Sequence, residues 1–264
     1  MDFEYDSDKD RWEYYKKAYK DIIINTDKLF PRNNRLVGTF SVNKINNQIK
    51  LKQVENKSKE NCIELSGDCF FNFNEKKYER YIQIAQNSEN AQNSEKLKNN
   101  LLEYKDIWHH SNANCVLLPV TGALNNVKGN IYFKKKNKQF KVYNQSGRPP
   151  MNRDDRPDTF IHKLSEFWDI KSKGECNLRE AGLFLQNSVF SHSLKGENFA
   201  IIYDFLNSFN SLEEFCNLMF GIDENLVSKM KNNGRIPITD IDSLENYLNL
   251  ANEFWNSRKK MATF

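Results

Sequence analysis

The 264-residue sequence predicts an α+β protein, with an N-terminal antiparallel sheet and flanking helices followed by a C-terminal helical layer. Three observations carry this. Short β-branched and aromatic stretches crowd residues 36–73 and 114–143, apolar residues recur at helical spacing from Asp158 onward, and the strand-helix alternation of a doubly wound sheet is missing. An apolar fraction of 39% suffices for a single domain over residues 1–264, β-rich at 25–145 and helical at 155–264.

Residues 7–24 read as an amphipathic helix, because Ser7 and Asp10 form a capping pair and Trp12, Tyr15, Tyr19, Ile22 and Ile23 return at helical spacing. Segments 36–42 and 47–54 read as a strand pair about Asn46-Asn47, and residues 62–65 and 69–73 extend the sheet around a Ser66-Gly67-Asp68 turn. Residues 75–85 predict a short helix. The tandem repeat AQNSEN-AQNSEK at 85–96 has no apolar face and reads as a solvated loop or helix extension. Residues 97–108 turn helical again, 114–120 form a buried strand, and 131–133 with 139–143 flank a Lys-rich turn as a second hairpin. Beyond Asp158, the residues Phe160, Ile161, Leu164, Phe167 and Trp168 make one apolar helix face; helices follow at 178–187, 198–209, 211–220, 224–232 and 243–257. Ser211 with Glu214, and Asp242 or Ser243, mark starts, while Gly234 with Pro237 marks a stop.

No run of eighteen apolar residues occurs and the start MDFEYDSDKD is acidic, so the expectation is a cytoplasmic protein with no membrane partner and no secretory leader. Five cysteines (Cys62, Cys69, Cys115, Cys176, Cys216) form no CxxC pair, which predicts reduced, packed thiols and no structural metal. The net charge of +4 hides a strong asymmetry. Residues 107–153 carry eight cations (Lys128, Lys134, Lys135, Lys136, Lys138, Lys141, Arg148, Arg153) and no acid, so the other 217 residues sum to −4. Such a local field concentrates phosphate-bearing partners, nucleic acid or nucleotide; the bland reading is a solvated basic hairpin with no ligand.

Three stretches are candidates for chemistry. Trp108 to Asn114 places His109 and His110 just before an apolar strand, where one imidazole could serve as acid or base; the bland reading is a hydrogen-bonded loop at the sheet edge. The loop 121–129 offers Asn125, Asn126 and Lys128 among glycines as phosphate donors, against the simpler reading of an Asn-rich turn. In RDDRPD, Asp155 and Asp158 are candidates for acid-base work or for holding Mg²⁺, with Arg156 on a phosphate. Against that, Asp155 or Asp158 caps the following helix and Pro157 sits in its first turn.

Pro157-Asp158 with Asp169-Ile170-Lys171 spells a PD-(D/E)xK nuclease core, but a helix between them would hold Asp158 and Asp169 about 16 Å apart instead of on neighbouring strands. Arg156 and His162 spell the Arg-x5-His pattern of a HEPN ribonuclease, which short chance matches also produce. Taken together, DFEYD, LFP at 29–31, LSGD at 65–68, NCVLLPVTGALNNVKG and DRPDTFIHKLSEFW resemble, in order and spacing across most of the chain, a bacterial family of unknown function. The C-terminal stretches FLNSFNSLEEFCNLMFG and YLNLANEFWNSRKK are similar to it as well. That resemblance implies no activity. It maps the family's recurrent polar positions onto Asn125 or Asn126, Lys128, Gly129, Asp155, Arg156 and Asp158, and departs from it at Pro157, where the family has an aromatic, and at His162. Residues 117–129 also resemble the segment after the metal site of HNH-like nucleases, without its histidine block.

Two functions follow as expectations. The first is an enzyme on a phosphodiester or nucleotide, with Asp155, Asp158, His109 and His110 in proton transfer or on Mg²⁺, and Lys128, Arg156, Asn125 and Asn126 on phosphate. The second is a non-catalytic module that binds nucleic acid or protein through Lys134, Lys135, Lys136 and Lys138.

Overall fold

The computed structural model describes residues 14–15, 17–24, 31–32, 35–46, 48–53, 62–69, 75–87, 91–110, 112–119, 131–135, 138–142, 156–172 and 206–261. The α+β class holds. Six strands, β1 (Ile23–Ile24), β2 (Pro31–Arg32), β3 (Arg35–Ile45), β4 (Gln48–Gln53), β5 (Cys62–Cys69) and β6 (Cys115–Pro119), form a sheet of order β1-β4-β3-β5-β6, with β2 pairing β3 off that path. All pairings are antiparallel except β1 with β4. On β4, Ile49 and Leu51 are buried while Gln48 and Lys52 are exposed, which is the period of two expected of a half-buried strand.

Two strand expectations change. The N-terminal helix ends near residue 18, because the carbonyl of Tyr19 takes the N–H groups of both Ile22 and Ile23 in a turn and the β-branched pair Ile23–Ile24 then joins β4. Ser66-Gly67-Asp68 is no turn. β5 runs straight through it, because β3 pairs residues 62–66 and β6 pairs residues 65–69, so each of the three residues is paired to at least one neighbouring strand.

The helices are α1 (Glu75–Gln86), α2 (Ala91–His110), α3 (Pro157–Ser172), α4 (Leu212–Phe220), α5 (Glu224–Asn233) and α6 (Ile241–Lys260). The second copy of the polar repeat is the first turn and a half of α2: it buries Ser94, and its Lys96 pairs with Glu245 at 2.9 Å. Helix α6 starts earlier than expected. Asp240, not Asp242 or Ser243, is its N-cap, and Ser243 closes a reciprocal capping box. The helix expected at 178–187 lies outside the described residues, as does the one expected at 198–209 up to residue 205; residues 206–208 are helical.

Helix α6 is central. It buries Leu244, Tyr247, Leu248, Ala251, Phe254, Trp255 and Arg258 along one stripe and touches α1, α2, α3 and α5. A chain of edge-to-face rings, Phe209, Phe215, Phe220, Phe254 and Trp255, links α4 to α6, each contact adding about 0.5–1.5 kcal/mol beyond area burial. Sheet and helices share this core: Phe40, Ile49, Leu51 and Val116 belong to the same apolar cluster, the Tyr19 hydroxyl donates to the Met219 carbonyl at 3.1 Å, and buried Arg258 donates to the carbonyls of Ala113 and Met219. Cys216 is a free thiol inside it, and burial pushes its pKa well above the ordinary value. No helix among the described residues is long and apolar enough to cross a membrane.

Between α4 and α5 lie only Gly221, Ile222 and Asp223. Gly221 is left-handed (φ 68°), a conformation that costs a residue with a Cβ, and its N–H closes α4 onto the Asn217 carbonyl. Ile222 is fully buried and Asp223 caps α5 by accepting from the Leu226 N–H.

Candidate functional site

The densest polar cluster in the described structure forms where α3 begins. The Arg156 carbonyl accepts the Phe160 N–H, so Pro157, whose ring fits a first helical position, opens the helix and Asp158 follows in its first turn. Asp158 is wholly buried and its carboxylate is saturated. Oδ1 accepts from Arg156 Nε (3.0 Å) and the Thr159 N–H (2.8 Å); Oδ2 accepts from Arg156 Nη2 (2.6 Å) and Asn233 Nδ2 (2.8 Å). Four donors on two oxygens fill the lone-pair positions that a substrate proton or a Mg²⁺ ion would need.

Arg156 faces inward too. It donates to the Ile236 carbonyl (2.7 Å) and the Asn233 carbonyl (3.3 Å), and its guanidinium lies 5.0 Å from the centre of the Tyr247 ring. Burial works against its charge, but the Asp158 carboxylate and its hydrogen bonds outweigh that and hold its pKa above the ordinary value. Tyr247 in turn shares a short hydroxyl-hydroxyl hydrogen bond with Tyr104, and burial raises its own pKa well above normal. The cluster therefore fastens the start of α3 to the end of α5 and the side of α6.

Gly234 makes this approach possible. Its φ is ordinary, but a Cβ there would lie 2.3 Å from the Asp158 carbonyl oxygen and 2.6 Å from the His162 Cβ. One turn beyond Asp158, the ring of His162 lies between Glu166 (Nε2 to Oε1, 3.5 Å) and Arg235, whose Nε donates to Nδ1 at 3.4 Å. Burial lowers the His162 pKa; Glu166 opposes the shift, and the charges of Arg235 and Lys231 reinforce it.

Of the sequence-predicted residues, the structure brings Arg156 and Asp158 together, and they meet each other. Asp155, Asn125, Asn126, Lys128 and Lys136 lie outside the described residues. His109 and His110 form the last turn of α2, where the sequence suggests an extended loop. The helix extends this far because Leu97, Leu101 and Tyr104 keep its buried face in register, and the chain leaves it only through the short 3-10 turn Asn112–Asn114. Among the described residues, no three His, Cys, Asp or Glu side chains gather as a metal-ligand set.

Lys134, Lys135 and Lys138 stand on a two-stranded ribbon, β7 (Ile131–Lys135) with β8 (Lys138–Val142), which among the described residues does not pair with the six-stranded sheet. The expected hairpin is present. Its register pairs Tyr132 with Lys141, Phe133 with Phe140, Lys134 with Gln139 and Lys135 with Lys138. The pair Lys135–Lys138 closes the ladder at the end nearest the turn.

Asn233, Gly234, Ile236 and Tyr247 were not legible as partners of Arg156 and Asp158. They lie about 75 to 90 positions further along the chain, and only the helix stop at Gly234 hinted at an abrupt turn there. Comparison of the chain with protein-family models, with curated proteins and with solved structures finds no match.

Proposed function

We propose that the chain is a nucleic-acid-binding protein that uses the lysine-rich hairpin 131–142 on the phosphate backbone. The observation that carries this reading is the segregation of charge: eight cations and no acid over residues 107–153, in a protein whose remaining 217 residues sum to −4. Five of those cations crowd residues 134–141, on and between two paired strands. A ribbon with several lysines and no nearby acid in sequence offers phosphates a field that its own segment does not cancel.

The alternative, an enzyme on a phosphodiester with Asp155, Asp158, His109, His110, Lys128 and Arg156 as its machinery, is the weaker reading. A buried carboxylate that already accepts four hydrogen bonds is poorly suited to abstract a proton or to ligate Mg²⁺. A cytoplasmic location, and kinship with the bacterial family of the DFEYD and LSGD blocks, belong to the same proposal and rest on the sequence.

Fluorescence anisotropy of the full chain with a labelled mixed-sequence duplex tests it. Affinity should fall by orders of magnitude between about 50 and 200 mM salt, as released counterions require. Lys134→Ala, Lys135→Ala and Lys138→Ala together should weaken binding and flatten the salt slope by about one per phosphate contact removed. Binding that is absent, or that ignores salt, overturns the proposal.

A further inference from the structure

We infer that α4 and α5 form a helix-turn-helix whose second helix reads base edges in the major groove of duplex DNA, so that the protein recognises sequence as well as charge. This rests on the nucleic-acid reading above and adds a second surface, on a different part of the chain. Two short helices joined by three residues, with a left-handed glycine at the first of them, match a helix-turn-helix in the length and type of connection.

The burial pattern divides the unit into a held face and a presented face. Cys216, Met219 and Phe220 of α4, Ile222 of the turn, and Leu226, Val227 and Met230 of α5 are buried, and α5 is backed by α3 and α6. Glu224, Asn225, Ser228, Lys229 and Asn232 are exposed. Those five positions follow a spacing of one, three, one and three residues, which is a single stripe along the helix. The stripe contains no apolar side chain, so it is not an uncovered core.

Its chemistry suits base edges. Asparagine pairs with adenine, lysine with guanine, serine with either, and glutamate accepts from cytosine. Charge leans towards the partner: residues 223–235 hold Lys229, Lys231 and Arg235 against Asp223 and Glu224, with Lys231 lying 3.3 Å from Asp169. Lys229 lies 3.5 Å from Glu253, with both side chains about half exposed, and a surface pair of that kind is weak enough for a phosphate or base to displace. Size agrees as well, because a helix about 10–12 Å across with its side chains fills a groove about 12 Å wide, whereas the major groove of duplex RNA is too narrow to be read. The Arg156–Asp158 cluster holds the far end of α5 at Asn233.

The test selects with the full chain from a pool of duplex DNA with a randomised core and sequences what is retained. A short enriched motif is expected. The exposed variant Asn225→Ala, Ser228→Ala, Asn232→Ala should lose about fivefold or more in affinity for that motif per base contact removed, keep its binding to mixed-sequence duplex, and melt at the wild-type temperature. Salt-sensitive binding without any enriched motif overturns the helix-turn-helix and leaves the hairpin proposal standing. Enrichment that the triple variant retains, or equal affinity for duplex RNA of the enriched sequence, also overturns it. Absence of binding to every nucleic acid overturns both.

Discussion

The start of α3 and the β7–β8 ribbon are both runs of charge in the sequence, but only the first brings cation and anion together. Arg156 and Asp158 are turned inward: the carboxylate has no exposure, the guanidinium side chain has 11%, and beyond their bonds to each other they bond to Asn233 and Ile236 from another part of the fold. The lysines of the ribbon stand in a segment with no acid within reach in sequence. A charge run is therefore no mark of a reactive site where its opposite arrives with it. Where cation and anion arrive together beside an incoming helix, the pair is more useful as a fastening.

The sharpest way to break this comparison is Asp158→Ala, which leaves the Arg156 guanidinium buried without its carboxylate. It should cost about 3–5 kcal/mol, seen as a large drop in the urea midpoint. An unfolding curve like that of the wild type would show that the pair fastens nothing. Exchanging both partners for apolar residues, Arg156→Met with Asp158→Leu, should recover much of the loss, since a well-packed apolar pair avoids the desolvation that the ion pair must overcome.

Gly234→Ala comes next. Its Cβ would enter the space of the Asp158 carbonyl and the His162 Cβ, neither of which is the end of a flexible side chain, so α3 and the end of α5 must separate. The expected loss is about 1–3 kcal/mol, as for other overpacked sites, and thermal melting measures it. Wild-type melting would mean that the close approach is not needed.

His162 sharpens the comparison through pH. Burial and its cationic neighbours lower its folded pKa, so the unfolded chain takes up the proton at higher pH than the folded one does. This contribution to stability is complete above about pH 6.5, the unfolded value, and is lost as pH falls through the lowered folded value. His162→Gln should make urea midpoints less dependent on pH across that window; an unchanged slope would assign the dependence to other groups. The smallest expected effect belongs to the ribbon: replacing Lys134, Lys135 and Lys138 with alanine should move stability by no more than about 0.5 kcal/mol per site, while the salt slope of nucleic-acid binding falls. Marked destabilisation would mean that these lysines hold the fold together.

Much of the architecture was legible from local pattern. Alternation marked β3 and β4, the spacing of Phe160, Ile161, Leu164 and Trp168 marked α3, and the pairs Ser211–Glu214 and Gly234–Pro237 marked helix ends to within a residue or two. The misses share a cause. Ser66-Gly67-Asp68 looks like a turn until β6 arrives from fifty positions away to pair with it, and Ile22–Ile23 look like a helix face until β4 draws Ile23 into a ladder. The turn Gly221-Ile222-Asp223 was visible as a gap between two helices, but that it joins a buried face to a wholly polar one became clear only from exposure along α5.

What the sequence determined by itself is whatever depends on neighbours along the chain: helix periodicity, capping, strand alternation, and the excess of cations over residues 107–153. What only the tertiary structure decided is which polar groups have partners. Asp158 and Arg156 read as reactive because their spacing suits chemistry, yet Asn233, Ile236 and Tyr247 reach them from another helix, its following turn, and α6. The free energy of a buried charge is set by what surrounds it in space, and that information is spread over the chain at separations no local pattern records.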